Sequence, residues 1–211
     1  RLTHTEYDNT IRDLFGVELN VTERFPTELI GNSGFENSSN TLFLQPALME
    51  RYIGAAQTVV DLVLPDEPDT AQHFKTRELI FKVNPTGNAN DGFDSRYVLS
   101  NFLTRAYRRP VTEEELLRAA GQYSEAIELG LSVEAAIKQV IQSTLISPKF
   151  LLRVEAGRQE SGAYRVSDWE LASRLSYFLW ATMPDEELFE LAEAGRLSDP
   201  VVLEKQVWRM L

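Results

Sequence analysis

Few side chains in this sequence have both the type and the placement for chemistry. His4 and His73 are its two histidines, and histidine is the side chain whose unperturbed pKa lies near neutrality. His4 sits inside a Thr3/Glu6 capping box and His73 in the loop after Pro68, so both are expected to be ordinary surface residues. Cysteine is absent, which removes disulfides, thiol nucleophiles, zinc-thiolate sites and thioether-linked haem from this chain. No His-Glu-x-x-His, Gly-x-Ser-x-Gly, Ser-x-x-Lys or phosphate-cradling glycine loop with lysine occurs, so the familiar hydrolase and nucleotide-binding signatures are missing.

Carboxylates cluster at Glu113-Glu114-Glu115 and Asp185-Glu186-Glu187. A glycosidase needs two facing carboxyl groups, one with a raised pKa. Both clusters instead open a helix, where negative charge complements the dipole. Arg105, Arg108 and Arg109 form the basic knot of the chain and precede the three glutamates, so they are expected to make local ion pairs. Asn84, Asn88, Asn90, Asp91 and Asp94 offer oxygen ligands. Their spacing fails the twelve-residue calcium loop, because no glutamate closes it and the glycine is misplaced, so turn formation is the expected role. Trp169, Trp180 and Trp208 recur at helical spacing in apolar stripes, which reads as core. Two sequons, Asn20-Val21-Thr22 and Asn37-Ser38-Ser39, are too short a signal to carry weight. On these grounds catalytic residues are unknown, and no cofactor-binding or metal-binding residue is assigned.

The elements that must position these groups are helical. Tyr7, Ile11, Leu14 and Phe15 repeat behind the first capping box and stop at Gly16. Residues 17–45 read as a long loop. Pro46 opens a helix with an inward stripe of Met49, Tyr52, Ile53, Ala56, Val59, Val60 and Val63, ended by Pro65 and Pro68. Leu79 to Val83 is expected as a short strand within a boundary stretch, 65–94. Val98, Leu99, Phe102, Leu103 and Ala106 mark the next helix, halted before Pro110. Thr112/Glu115 caps a helix with stripe Leu116, Ala120, Tyr123 and Ile127, and Ser132 one with Val133, Ile137, Val140, Ile141 and Leu145. Ser147-Pro148 restarts the chain as a short helix through Val154. Ser167/Glu170 caps a helix so apolar around its circumference that it should be the most buried. Pro184 and Pro200 open the last two.

The 211 residues carry 21 Lys plus Arg against 32 Asp plus Glu, for a net charge of -11 and a pI near 4.7. Nucleic acid and anionic membrane surfaces are unlikely partners, since phosphate binding relies on clustered cations. No apolar run reaches the roughly 20 residues of a membrane span. The expected fold is all-α, an irregular array of about eight or nine helices with long loops in the N-terminal third. Its expected units are 1–94, 95–157 and 163–211, the last the truncated start of a further module packed on the one before, in a chain that reads as a fragment.

Three long phrases carry a resemblance. Arg1 to Gly16 (RLTHTEYDNTIRDLFG), Phe25-Pro26, Gly34-Phe35-Glu36-Asn37 and the helix from Pro46 resemble one domain of unknown function found in planctomycete-type multidomain proteins. Residues 102–154, with RAYRRPVT at 105–112 and SPKFLLR at 147–153, are similar to a second. Residues 164–211, with ELASRLSYFLW at 170–180, MPD at 183–185 and AEAGRLSD at 192–199, are similar to the opening of a third. Such modules accompany c-type haem domains behind an export signal. The resemblance therefore implies haem in neighbouring domains and none in this chain. It also implies a periplasmic or otherwise extracytoplasmic setting, and partners that are other domains or chains of a larger redox protein. No catalytic residue is carried over with it. The leading expectation is a non-catalytic scaffold or interaction module of an exported haem-associated protein. The alternative is an enzyme acting on a polysaccharide or other small substrate, its carboxylates Glu36, Asp91 or Asp94 brought together by two Gly-Phe-acidic loops. A third possibility is a stable piece of a proteolysed or oligomeric assembly.

Overall fold

The computed structural model describes residues 1–27, 46–68, 70–81, 94–155 and 165–211. It is an irregular all-α array. The described helices are α1 (His4–Phe15), α2 (Pro46–Val63), α3 (Ala71–Phe81), α4 (Ser95–Tyr107), α5 (Glu113–Glu128), α6 (Val133–Leu145), α7 (Pro148–Leu151), α8 (Asp168–Trp180), α9 (Glu186–Glu193) and α10 (Pro200–Met210), with one 3-10 turn at Val21–Arg24. Residues 79–81 end helix α3, which corrects the expected strand. Alternation over five residues is too short to separate a strand from one buried side of a helix, and Thr76, Ile80 and Phe81 are that side.

The chain forms two compact units, Arg1–Leu152 and Arg153–Leu211. In the first, α2 and α5 both pack on α6, α4 packs on α5, and α1 meets the 3-10 turn and α3. Its fully buried side chains include Tyr7, Phe15, Tyr52, Phe81 and Phe150. Each large apolar side chain taken from water contributes on the order of 1.5–3 kcal/mol. The start of α1 follows from sequence alone: the Thr3 hydroxyl accepts from the Glu6 amide while the Glu6 carboxylate accepts from the Thr3 amide. Its end needs a left-handed residue, and Gly16 (φ 72°) supplies one, donating its amide to the Arg12 carbonyl at 2.7 Å.

Two stripes are rotated from their expected positions. On α2, Leu48 and Ala55 are buried while Ile53 is 45% exposed and Met49 only partly covered. On α5, Ala119 and Ala126 are buried and Ile127 faces outward. In each case an alanine is buried and one isoleucine, Ile53 or Ile127, falls on the outer side. Helix α7 stops at Leu151, short of Val154.

The second unit is built from α8, α9 and α10. Ala172, Leu188, Ala192, Leu197 and Met210 form its core, with Trp169, Leu171, Leu175, Leu179, Trp180 and Leu191 packed around them. Helix α8 is not the most buried helix: only Ala172, Ser176 and Tyr177 are fully covered, and Phe178 is 84% exposed. The other two helices of this unit, of 8 and 11 residues, pack on α8, whose exposed residues are Arg174 and Phe178. Trp208 is likewise 71% exposed and not core.

Candidate functional site

One cluster of polar residues in the first unit lies at the joint between α1, α4, α5 and α7. Thr112 ends an extended link and caps α5, its hydroxyl accepting from the Glu115 amide while the Glu115 carboxylate accepts from the Thr112 amide at 2.9 Å. The same carboxylate receives both ends of the Arg109 guanidinium, at 2.8 and 2.9 Å, and the ammonium of Lys149 from α7. Arg109 and Lys149 flank the Tyr107 ring, 5.7 and 5.9 Å from its centre. Hydrogen bonding from Arg109, and less so from Lys149 and the Thr112 amide, holds the Glu115 carboxyl well below the usual carboxylate range against the opposing effect of its burial. A carboxylate so pinned is a poor general acid.

The other two arginines of the knot bind backbone carbonyls. Arg105 donates to the carbonyls of Asp13 and Leu14, at 3.0 and 3.4 Å, in the last turn of α1. Arg108 is buried, 4% exposed, and one of its nitrogens donates to the carbonyls of Lys149, Phe150 and Leu152 at 3.1, 2.8 and 3.2 Å. Its backbone lies in the left-handed region (φ 58°) as the C-cap of α4. A non-glycine residue there costs roughly 1–2 kcal/mol, which the three bonds to orphan carbonyls offset. These arginines satisfy the carbonyls that helix ends leave open. Of the glutamates, Glu113 pairs with Arg96, and Glu114 lies 3.5 Å from Arg118, one turn on.

A second cluster surrounds α1. Tyr7 is fully buried among Tyr52, Phe150 and Phe25, whose ring centres lie 5.0, 5.8 and 6.3 Å away. Burial, then the nearby Tyr52 and Asp8, push its phenol far above the ordinary tyrosine value. His4 is partly covered, its ring edge-on to Phe25 at 5.4 Å. Asp8 accepts from the Thr22 amide at 3.2 Å and from the Thr22 hydroxyl, which ties the 3-10 turn to α1. Desolvation raises the Asp8 carboxyl, with the Thr22 bonds opposing. His73, expected in a loop, stands in the first turn of α3 and is half-buried. The histidines are therefore both partly covered helix residues.

In the second unit Asp185 caps α9 through the Leu188 amide at 3.0 Å and binds Arg209 of α10 at 2.6 and 3.1 Å. Trp180 donates its indole N–H to the Met210 carbonyl at 3.0 Å, under the Arg209 guanidinium. Of the carboxylates weighed for an enzyme, Asp94 is the N-cap of α4, accepting from the Tyr97 amide at 3.1 Å. Glu36 and Asp91 lie outside the described residues, as do Asn37, Asn84, Asn88 and Asn90. Among the described residues no group of three or more His, Asp or Glu could hold a metal ion, and no helix is long and apolar enough to cross a membrane.

Sequence reasoning missed the roles of Lys149, Asp8, Arg105 and Arg108. Their partners are backbone carbonyls or side chains from distant segments. The one readable signal was Pro110, which forces the chain out of helix just after Arg108.

Comparison with known families matches three stretches. Residues 1–65 match PSD3, a protein of unknown function (DUF1587); residues 94–155 match PSD5, a protein of unknown function (DUF1595); and residues 166–211 match PSD4, a protein of unknown function (DUF1592). Comparison with curated proteins and with solved structures finds no match.

Proposed function

We propose that this chain is a non-catalytic helical scaffold or interaction module of a larger, exported, haem-associated protein of the c-type cytochrome kind. One observation carries the first part of this reading. The charged side chains in the phrases RAYRRPVT and SPKFLLR are spent on structure: Arg105 and Arg108 cap helix carbonyls, and Arg109 and Lys149 clamp Glu115. A catalytic group needs a shifted pKa toward its working pH and an open approach. Glu115 is shifted the other way and is covered by its partners.

The haem context rests on the resemblance of the three phrases to modules that accompany c-type haem domains. With no cysteine in the chain, covalently attached haem would belong to other parts of the parent protein, in an extracytoplasmic compartment where thioether haem attachment takes place. The absorption spectrum of the complete gene product tests this. A Soret band with a sharp α band on reduction is expected; a product with neither band and no Cys-x-x-Cys-His sequence contradicts the haem context.

A further inference from the structure

Residues 1–65 and 94–155 match two separate families, yet each supplies what the other lacks. The Leu2 amide donates to the Leu151 carbonyl at 2.8 Å, as one strand would to another, although both lie at helix boundaries. At the opposite end of α1 the carbonyls of Asp13 and Leu14 accept from Arg105 of α4. Between these two polar contacts, Tyr7 packs edge-on to Phe150 at 5.8 Å and Phe15 tilts against Phe102 at 6.0 Å. All four rings are at most 3% exposed. The link helix α3 adds to the joint, with the Thr76 hydroxyl donating to the Phe15 carbonyl at 2.9 Å and Arg77 bonded to Glu134 of α6.

We infer that the surface of α4 and α7 is a receptor for helix α1, and that the two matched segments are obligate partners forming a single folding unit. The receptor has a definite chemistry: a guanidinium for the carbonyl end of the incoming helix, a free backbone carbonyl for the amide that precedes it, and an aromatic wall between. Without α1, Phe102 and Phe150 would each lose a packed ring and Arg105 would lose its carbonyls. Without α4 and α7, Tyr7 would lose Phe150 and Phe15 would lose Phe102 on a helix of 12 residues, a length that is marginal without tertiary packing. The partner this surface fits is therefore α1 of the same chain.

Hydrogen exchange on the full chain, read segment by segment, tests the inference. In the wild-type chain the slowest amides of α1, α2, α4 and α6 should share one protection limit. Phe15→Ala, made in α1, should lower protection in α4 and α6 by the same factor as in α1, at least tenfold. Phe102→Ala, made in α4, should do the same to α1 and α2. Arg105→Gln is a milder change that keeps the chain folded, and it should lower both sets together by a smaller common factor. Loss of protection confined to the segment that carries the substitution, with the other segment at its wild-type limit, would overturn the inference for any of the three variants.

Discussion

At the scale of single residues, Glu115 is the most informative side chain. Its carboxyl is held below its ordinary value by Arg109, Lys149 and the Thr112 amide, so its folded pKa lies under its unfolded one, about 4.3. A depressed carboxyl contributes stability that is present above the unfolded pKa and lost as pH falls toward the folded value. Glu115→Gln should therefore destabilise the chain at pH 7 by about 1–3 kcal/mol and flatten the loss of stability below about pH 4.5, measured by urea unfolding across a pH series. The discount from a fully buried pair reflects partners that remain more than a third exposed. Asp8 behaves oppositely. Its carboxyl is raised by desolvation, so its contribution favours the fold at low pH and fades as pH rises through the folded value. In Asp8→Asn that contribution should vanish, and the variant's stability relative to wild type should improve from pH 4 to pH 7 in the same series.

At the scale of elements, the starts of helices were legible in the sequence and their faces less so. The capping boxes at Thr3/Glu6, Thr112/Glu115 and Ser167/Glu170 are all formed, because a cap is a contact between residues three apart and needs no knowledge of the fold. Stripe positions need the neighbour's shape as well. Ala55, Ala119 and Ala126 are buried where Ile53 and Ile127 were expected, since hydrophobicity alone ranks the larger side chain first. The joint at Arg105 and Arg108 was illegible for a related reason: a backbone carbonyl is the same in every residue, so nothing in the sequence marks which ones an arginine will reach. The left-handed turn at Arg108 separates strain from bonding. Arg108→Gly relieves the φ cost but removes the three carbonyl bonds, so it should still lose about 1–3 kcal/mol; a variant as stable as wild type would show that strain dominates. On α8 the contrast lies between neighbours. Tyr177, 4% exposed beneath Arg153, should cost about 3 kcal/mol or more when cut to alanine, while Phe178→Ser should stay within about 0.5 kcal/mol. Thermal unfolding of the two variants decides whether α8 presents the face described.

At the scale of the whole molecule, an acidic chain of net charge -11 places Arg105, Arg108 and Lys149 at helix ends and joints. The central claim is that the polar residues of the signature phrases hold helices together. Urea unfolding of the full chain, with Arg105, Arg108 and Glu115 each changed to glutamine, tests it most directly. The account predicts that every one of the three lowers the unfolding free energy, by about 1–4 kcal/mol, with Arg108 the largest because it is the most buried. Three variants within about 0.5 kcal/mol of wild type, the range of ordinary surface changes, would contradict it and return those side chains to the search for chemistry.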